Sequence, residues 1–147
     1  MFELHPMLAA DTVNIGDLPL STVLLNKDAN YPWVILVPRR EGVTEVVQLD
    51  NGDRRQLLDE SCIIANCLTE LFSPDKLNIA TIGNIVPQLH MHHVCRFKTD
   101  ACWPAPVWGQ VPALGYDDEA LSKLLWVMRN NLEDLISQST HQYKLNH

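Results

Sequence analysis

Three of the six histidines fall within four residues, at His90, His92 and His93. They stand in the run Gln88-Leu89-His90-Met91-His92-His93-Val94. If this run is extended, successive side chains alternate between two faces. Gln88, His90 and His92 then share one face. Leu89, Met91, His93 and Cys95 share the other, which is mostly apolar. Two imidazoles at this spacing stand about 7 Å apart by Cα. A neutral imidazole is a nucleophile or base near pH 7, and a second one beside it can donate a hydrogen bond. Such a pair can attack an electrophilic centre and hold the charge that develops there. The same pair could ligate a metal, or lie on a solvated face. The spacings of Cys62, Cys67, Cys95 and Cys102 match no common zinc module, and Cys95 falls on the opposite face, so no metal ligands are assigned.

The elements that must position these residues follow from pattern. Residues 86–97 predict a long strand, and Gly83-Asn84 a turn before it. Residues 77–82 predict another strand. Upstream, residues 18–26 and 32–39 are β-branched and apolar, and the polar loop 27–31 between them suits a hairpin. Leu4, Met7 and Leu8 allow one or two helical turns near the start. Asp50 can cap a helix whose apolar stripe runs from residue 53 to 72, ending before Pro74. Asp117 can cap a second amphipathic helix, running to about residue 138, with Asp118 and Glu119 favourable in its first turn. The polar tail 139–147 is expected to fray. Short connections between strands favour an antiparallel sheet with helices packed on it, an α+β class. No repeat or linker interrupts residues 1–147, which predicts one domain.

Residues 88–94 resemble the histidine triad motif, His-φ-His-φ-His-φ-φ with φ apolar. The strand 34–40 (VILVPRR) resembles the family's second strand, Gly83-Asn84 sits where the family has its phosphate-proximal turn, and Trp103-Pro104 lies downstream as in several members. The resemblance covers about residues 15–110, and the last helix extends beyond that core. It implies hydrolysis or transfer of nucleotides at the α-phosphate through a nucleotidyl-histidine intermediate. Substrates would be dinucleoside polyphosphates or nucleoside phosphoramidates. By this resemblance His90 is the nucleophile and His92 contacts the phosphate or orients the site. Gly83, Asn84 and Ile85 hold the phosphoryl oxygens. Asn26 falls about where the family has a ribose-contacting acid. A purine nucleotide substrate and a homodimer are further implications. No cofactor is expected, although Mg²⁺ could accompany a polyphosphate.

Two positions depart from the motif. Gln88 stands for the first histidine and cannot carry a proton. His93 replaces an apolar residue and needs a partner on the core side. A binding or scaffold protein with little turnover therefore stays open as an alternative, as does a metal-dependent hydrolase. Trp103 and Trp108 suit either a lid that stacks on a base or aromatic packing under a loop. Arg39 and Arg40 could attract polyphosphate but suit a solvated strand end better, and Arg96 and Lys98 are slightly better candidates for distal phosphates.

Composition narrows the classes. The 147 residues are 46% hydrophobic and carry a formal charge of -7, which argues against a dedicated nucleic-acid-binding domain. No apolar run approaches a membrane span. The first residues bear acids in place of the basic flank of a signal peptide. With no such leader and no CxxC, reduced thiols and a cytoplasmic setting are expected.

Overall fold

The computed structural model describes residues 1–145, with side chains described through residue 138. A short helix α1 (Pro6–Asp11) leads into strand β1 (Thr12–Asp17). Strands β2 (Ser21–Asn26) and β3 (Trp33–Pro38) form the expected hairpin. Helix α2 (Asn51–Phe72), strands β4 (Lys76–Ala80) and β5 (Met91–Arg96), and helix α3 (Asp118–Leu145) follow. The five strands make one sheet in the order β1-β2-β3-β5-β4, and every pairing is antiparallel. The architecture is α+β, as expected, with the C-terminal helix present.

Both faces of the sheet are covered, so β2 and β3 are buried along nearly their whole length, and β3 is a continuous apolar run. Val23, Leu25, Val34, Leu36 and Cys95 pack with Leu57, Ile64, Cys67 and Leu68 of α2 on one face. Leu24, Trp33, Ile35, Val37 and Val94 pack with Leu8, Val107, Trp108, Phe2 and Leu4 on the other. The period of two along β3 and β5 thus sends alternate side chains to different partners.

Buried polar side chains join the helices to the sheet. Glu60 of α2 is fully buried and accepts from the backbone N–H groups of Leu20 and Ser21 at 2.8 and 2.9 Å. Arg129 of α3 donates to the carbonyls of Asn14 and Ile15, where the β1–β2 register shifts. Met128, Leu132 and Leu135 of α3 complete the core against α2. Asp50 caps α2 by accepting from Asp53 N at 2.7 Å, and Asp117 accepts from Ala120 N at 2.7 Å at the start of α3.

Several elements differ from those the sequence suggested, β2 and β4 by two or three residues at an end and others by more. β1 was not foreseen, because Asn14 and Gly16 interrupt its alternation. Helix α3 continues past residue 138 to Leu145, since no Gly or Pro stops it. Of the tail expected to fray, residues 146 and 147 lie outside the described residues. The strand expected over 86–97 begins only at Met91. Pro87 has no N–H for a ladder, and Leu89 N donates to Val43 O at 3.0 Å, outside the sheet. Gln88 and His90 therefore precede the strand, and simple alternation does not set their directions.

Candidate active site

His90 lies immediately before β5, and His92 sits within it, opposite Ile35 of β3 and Ala80 of β4. Both are buried, each 6% exposed. Their rings meet edge to face with centroids 4.8 Å apart. The irregular entry to the strand has thus kept the two imidazoles adjacent, by a backbone path different from the expected one.

Hydrogen bonds to the rings set their tautomers. His90 Nδ1 lies 2.7 Å from the carbonyl oxygen of Gln88. A carbonyl only accepts, so Nδ1 carries a proton, and in the neutral ring Nε2 is then the nitrogen with the lone pair. His92 Nδ1 accepts from the indole Nε1 of Trp33 at 3.0 Å. An indole N–H only donates, so in His92 the proton is on Nε2. The pair presents one nucleophilic nitrogen and one donor. Burial, and to a smaller degree the neighbouring His90 and His93, push His92 down to about 3, so it stays neutral through the physiological range. Trp33 and Trp108 enclose its ring, with centroids 5.6 and 5.2 Å away.

His93 points to the other face, as its place in the strand requires. It is fully buried, with Nε2 2.7 Å from the Ser61 hydroxyl of α2 and Nδ1 3.2 Å from Met91 O. Burial lowers it to about 4. It is a satisfied core histidine that joins β5 to α2.

Gln88 turns its amide away from the other two motif positions. Its Oε1 accepts from His5 N at 2.9 Å, and its Nε2 donates to Glu3 O at 2.8 Å. The side chain clips the N-terminal segment in place, while the carbonyl of the same residue orients His90. Gly83 and Asn84 line a groove of about 510 Å³ with Gln88 and His90. A Cβ on Gly83 would stand 3.2 Å from Val86 O, so the loop is tight there. Ile85 is 77% exposed and does not line the groove. Asn26 ends β2, and its Oδ1 accepts from Asp28 N at 2.8 Å within its own turn.

Three of the four basic candidates, Arg39, Arg40 and Arg96, are engaged elsewhere, and Lys98 is tied in through its backbone N–H to Asp75 at 2.8 Å. Arg96 is buried, bonds Asp100 at 2.8 Å and Asn78 at 2.8 Å, and lies over Tyr31 and Trp103. Its guanidinium and three backbone N–H groups hold the Asp100 carboxyl down to about 2 against the cost of burial. The expectation that Arg96 meets distal phosphates fails, because its charge is spent inside the fold. Arg40 pairs with Asp53 through two hydrogen bonds, and Arg39 serves the carbonyls of Leu18 and Pro19. Trp103 and Trp108 are half-buried, Trp103 against the Arg96 guanidinium and Trp108 against Trp33 and His92. Trp33 was missed from sequence. Its signal was present only as a donor on the neighbouring strand. Among the described residues, no three His, Cys, Asp or Glu side chains converge as metal ligands would.

Comparison with known proteins bears on this geometry. The model of the HIT domain family matches residues 8–99. The chain belongs to the HIT domain family. A histidine triad protein from Bradyrhizobium japonicum is 46% identical, with a TM-score of 0.87, over 89% of this chain and 98% of its own. One from Marinobacter aquaeolei is 45% identical, with a TM-score of 0.89, over 92% of this chain and 98% of its own. A third, from Sinorhizobium meliloti, is 36% identical, with a TM-score of 0.86, over 88% and 96%. No curated protein matches significantly. Membership of the HIT family suggests nucleotide hydrolase or transferase chemistry for a chain with this pair of histidines.

Proposed function

We propose that this HIT protein hydrolyses or transfers nucleotides at the α-phosphate, with His90 as the nucleophile. The observation that carries the reading is the complementary pair of tautomers. His90 Nε2 holds a lone pair while His92 Nε2 holds a proton, in rings 4.8 Å apart. In the first step His90 Nε2 forms a bond to phosphorus as the leaving group departs with its electron pair. Water then cleaves the nucleotidyl-histidine. His92 donates to a phosphoryl oxygen, and being neutral it neither competes as a cation nor needs to lose a proton first. The Asn84 side chain and the backbone N–H groups of Gly83 and Asn84 stabilise charge on the same oxygens. Gln88 supports the site through its carbonyl and needs no proton of its own. The covalent step requires no metal, and Mg²⁺ enters only with a polyphosphate. Purine nucleotides are the proposed substrates.

The test is a single-turnover incubation with adenosine 5′-phosphoramidate, read by intact mass on the unaltered protein and on His90→Ala. A nucleotidyl adduct or AMP release that needs His90 supports the reading. Bound nucleotide with neither adduct nor AMP moves the protein to a binding role. A homodimer is also proposed, since β4 is an edge strand with Ile79 48% exposed and α2 carries Leu58 at 63%. Light scattering at the monomer mass would refute it.

A further inference from the structure

The groove beside the histidine pair reaches His90 and Gln88 but not His92. His92 is buried, and Trp33 and Trp108 enclose its ring. In the proposed chemistry a phosphoryl group meets both rings, so the structure as it stands leaves one of the two out of reach. What covers His92 follows from its sheet face. Ile35 stands opposite it across the ladder, and Val94 follows two residues on, so all three share that face. The cluster that holds Ile35, Val94 and Trp33 is covered by two segments. One supplies Val107, Trp108 and Val111, and the other supplies Phe2 and Leu4.

The two covers are fastened differently. The 98–116 segment is tied down at both ends. Its Asp100 carboxylate pairs with Arg96 and accepts from three backbone N–H groups. At its far end, Ala29 N donates to Leu114 O at 2.6 Å and Asn30 Nδ2 donates to Pro112 O at 3.0 Å. In the strap of residues 2–5, half-buried Phe2 and Leu4 alternate with exposed Glu3. Among the described residues, the Gln88 side chain makes the only hydrogen bonds between this strap and the fold beyond α1. It accepts from His5 N at 2.9 Å and donates to Glu3 O at 2.8 Å. The ion pair of the Met1 amino group with Glu41 is exposed on both sides and adds little. Behind the strap the chain is anchored again, since Lys27 donates to Asp11 O from its backbone and to Ala10 O from Nζ. A short segment held by two bonds to one side chain opens more readily than its neighbours.

Resting on the proposed chemistry at His90 and His92, we propose that residues 2–5 are a lid over the histidine pair, latched shut by the Gln88 side chain, and that nucleotide binds when the lid opens. The latch gives the residue that departs from the motif a role of its own. A glutamine amide presents an acceptor and a donor side by side, and so meets the N–H of His5 and the C=O of Glu3 together. An imidazole, whose two nitrogens point apart, cannot make that paired contact. The carbonyl of Gln88 meanwhile holds His90, so opening the lid leaves the nucleophile oriented. Closed molecules do not bind, and the apparent affinity for nucleotide is the intrinsic one scaled by the open fraction. Loosening the latch raises that fraction and tightens binding, while chemistry in the bound state keeps its rate.

The test measures AMP binding by titration calorimetry on the unaltered protein, His5→Ala, His5→Pro and Phe2→Ala. His5 has φ of -55° and ψ of 134°, which proline adopts, so His5→Pro deletes the N–H that donates to Gln88 without rebuilding the backbone. Both His5 variants lose the ring that accepts from Met7 N, and only His5→Ala keeps the N–H, so their difference isolates the latch. The dissociation constant should fall roughly fivefold from His5→Ala to His5→Pro, the effect of about one hydrogen bond. Phe2→Ala should bind AMP more tightly than the unaltered protein. A partial folding loss lowers the stoichiometry and leaves the dissociation constant. With adenosine 5′-phosphoramidate, KM should fall by the same factor from His5→Ala to His5→Pro, with kcat the same within about twofold. AMP binding no tighter in His5→Pro than in His5→Ala, or no tighter in Phe2→Ala than in the unaltered protein, would overturn the lid and leave His90 catalysis intact. The expected binding shifts without AMP release from any of the four proteins would support the lid and overturn the His90 chemistry. No AMP bound by any of them would overturn both.

Discussion

The indole Nε1 of Trp33 on β3 donates to Nδ1 of His92 on β5 at 3.0 Å. The two residues are diagonal across the ladder, since Trp33 stands opposite Val94 and His92 opposite Ile35. This single bond decides which nitrogen of His92 carries the proton.

Trp33→Phe keeps an aromatic ring beside His92 but removes the donor. His92 then holds an unsatisfied buried nitrogen, at a cost of about 1–3 kcal/mol. It can also relieve that by adopting the other tautomer, which withdraws the Nε2 donor. At metal sites, partner groups that orient a histidine ring typically carry roughly 10–100-fold in affinity or activity, and Trp33 has the same orienting role toward His92. The expected result is a kcat lowered by about that factor with KM little changed. Steady-state kinetics on the variant check it, and an unchanged kcat would mean that Trp33 serves packing alone.

Gln88→Ala removes two hydrogen bonds to the N-terminal segment but leaves the backbone carbonyl that orients His90. Two such bonds contribute about 1–3 kcal/mol together. The urea midpoint should fall accordingly. The nucleotidyl adduct should still form, at a rate within about tenfold of the unaltered protein, well short of the loss expected when a nucleophile is removed. An unchanged midpoint with no adduct would instead make the Gln88 side chain a participant in the chemistry.

Arg96→Met leaves Asp100 charged and buried with its strongest partner gone. Breaking such a pair costs about 3–5 kcal/mol, a large part of the roughly 5–15 kcal/mol of a typical domain. Thermal or urea unfolding should show this loss. The KM for nucleotide in the protein that remains folded should not move, because the guanidinium contacts Asp100 and Asn78 inside the fold. A raised KM at unchanged stability would return Arg96 to the role of a phosphate ligand.

The parts of the fold that the sequence made legible were those with local causes. Asp50 and Asp117 mark their helices because a side-chain oxygen satisfies a backbone N–H three residues on. The 23–25 and 33–37 runs declare strands through β-branched residues buried on both faces. The boundaries that misled depended on distant partners. Pro87 and the Leu89 N–Val43 O bond pull residues 86–90 off the sheet, although their alternation looked extended. Asn14 and Gly16 disguise β1, whose irregular carbonyls are answered by Arg129 of α3, over a hundred residues away. The histidine pair was visible because it is local. Its tautomers were not, since Trp33 and the Gln88 carbonyl become partners only when the chain folds.

Acid should unfold this protein through its buried histidines before its carboxylates. Burial lowers His92 to about 3 and His93 to about 4, whereas an imidazole in the unfolded chain titrates near 6.5. Below that value the unfolded state binds more protons than the native one, so stability falls as pH falls. Near pH 5 the two groups together give a slope of about 2.7 kcal/mol per pH unit. Between pH 6.5 and 4 they withdraw on the order of 6 kcal/mol, comparable to the whole stability of many domains. Asp100, held down to about 2, contributes its own loss only below the ordinary carboxylate range near 3.9. The two windows overlap only between about pH 3.9 and 3, where the last of the His92 loss meets the first of the Asp100 loss. Urea unfolding between pH 7 and 4 should show the midpoint dropping steeply from about pH 6.5. His93→Leu should remove one proton from that slope, whatever it does to stability at pH 7. A midpoint flat from pH 6.5 to 4 would mean that both rings accept protons in the folded protein, and the neutral donor assigned to His92 would then fail with it.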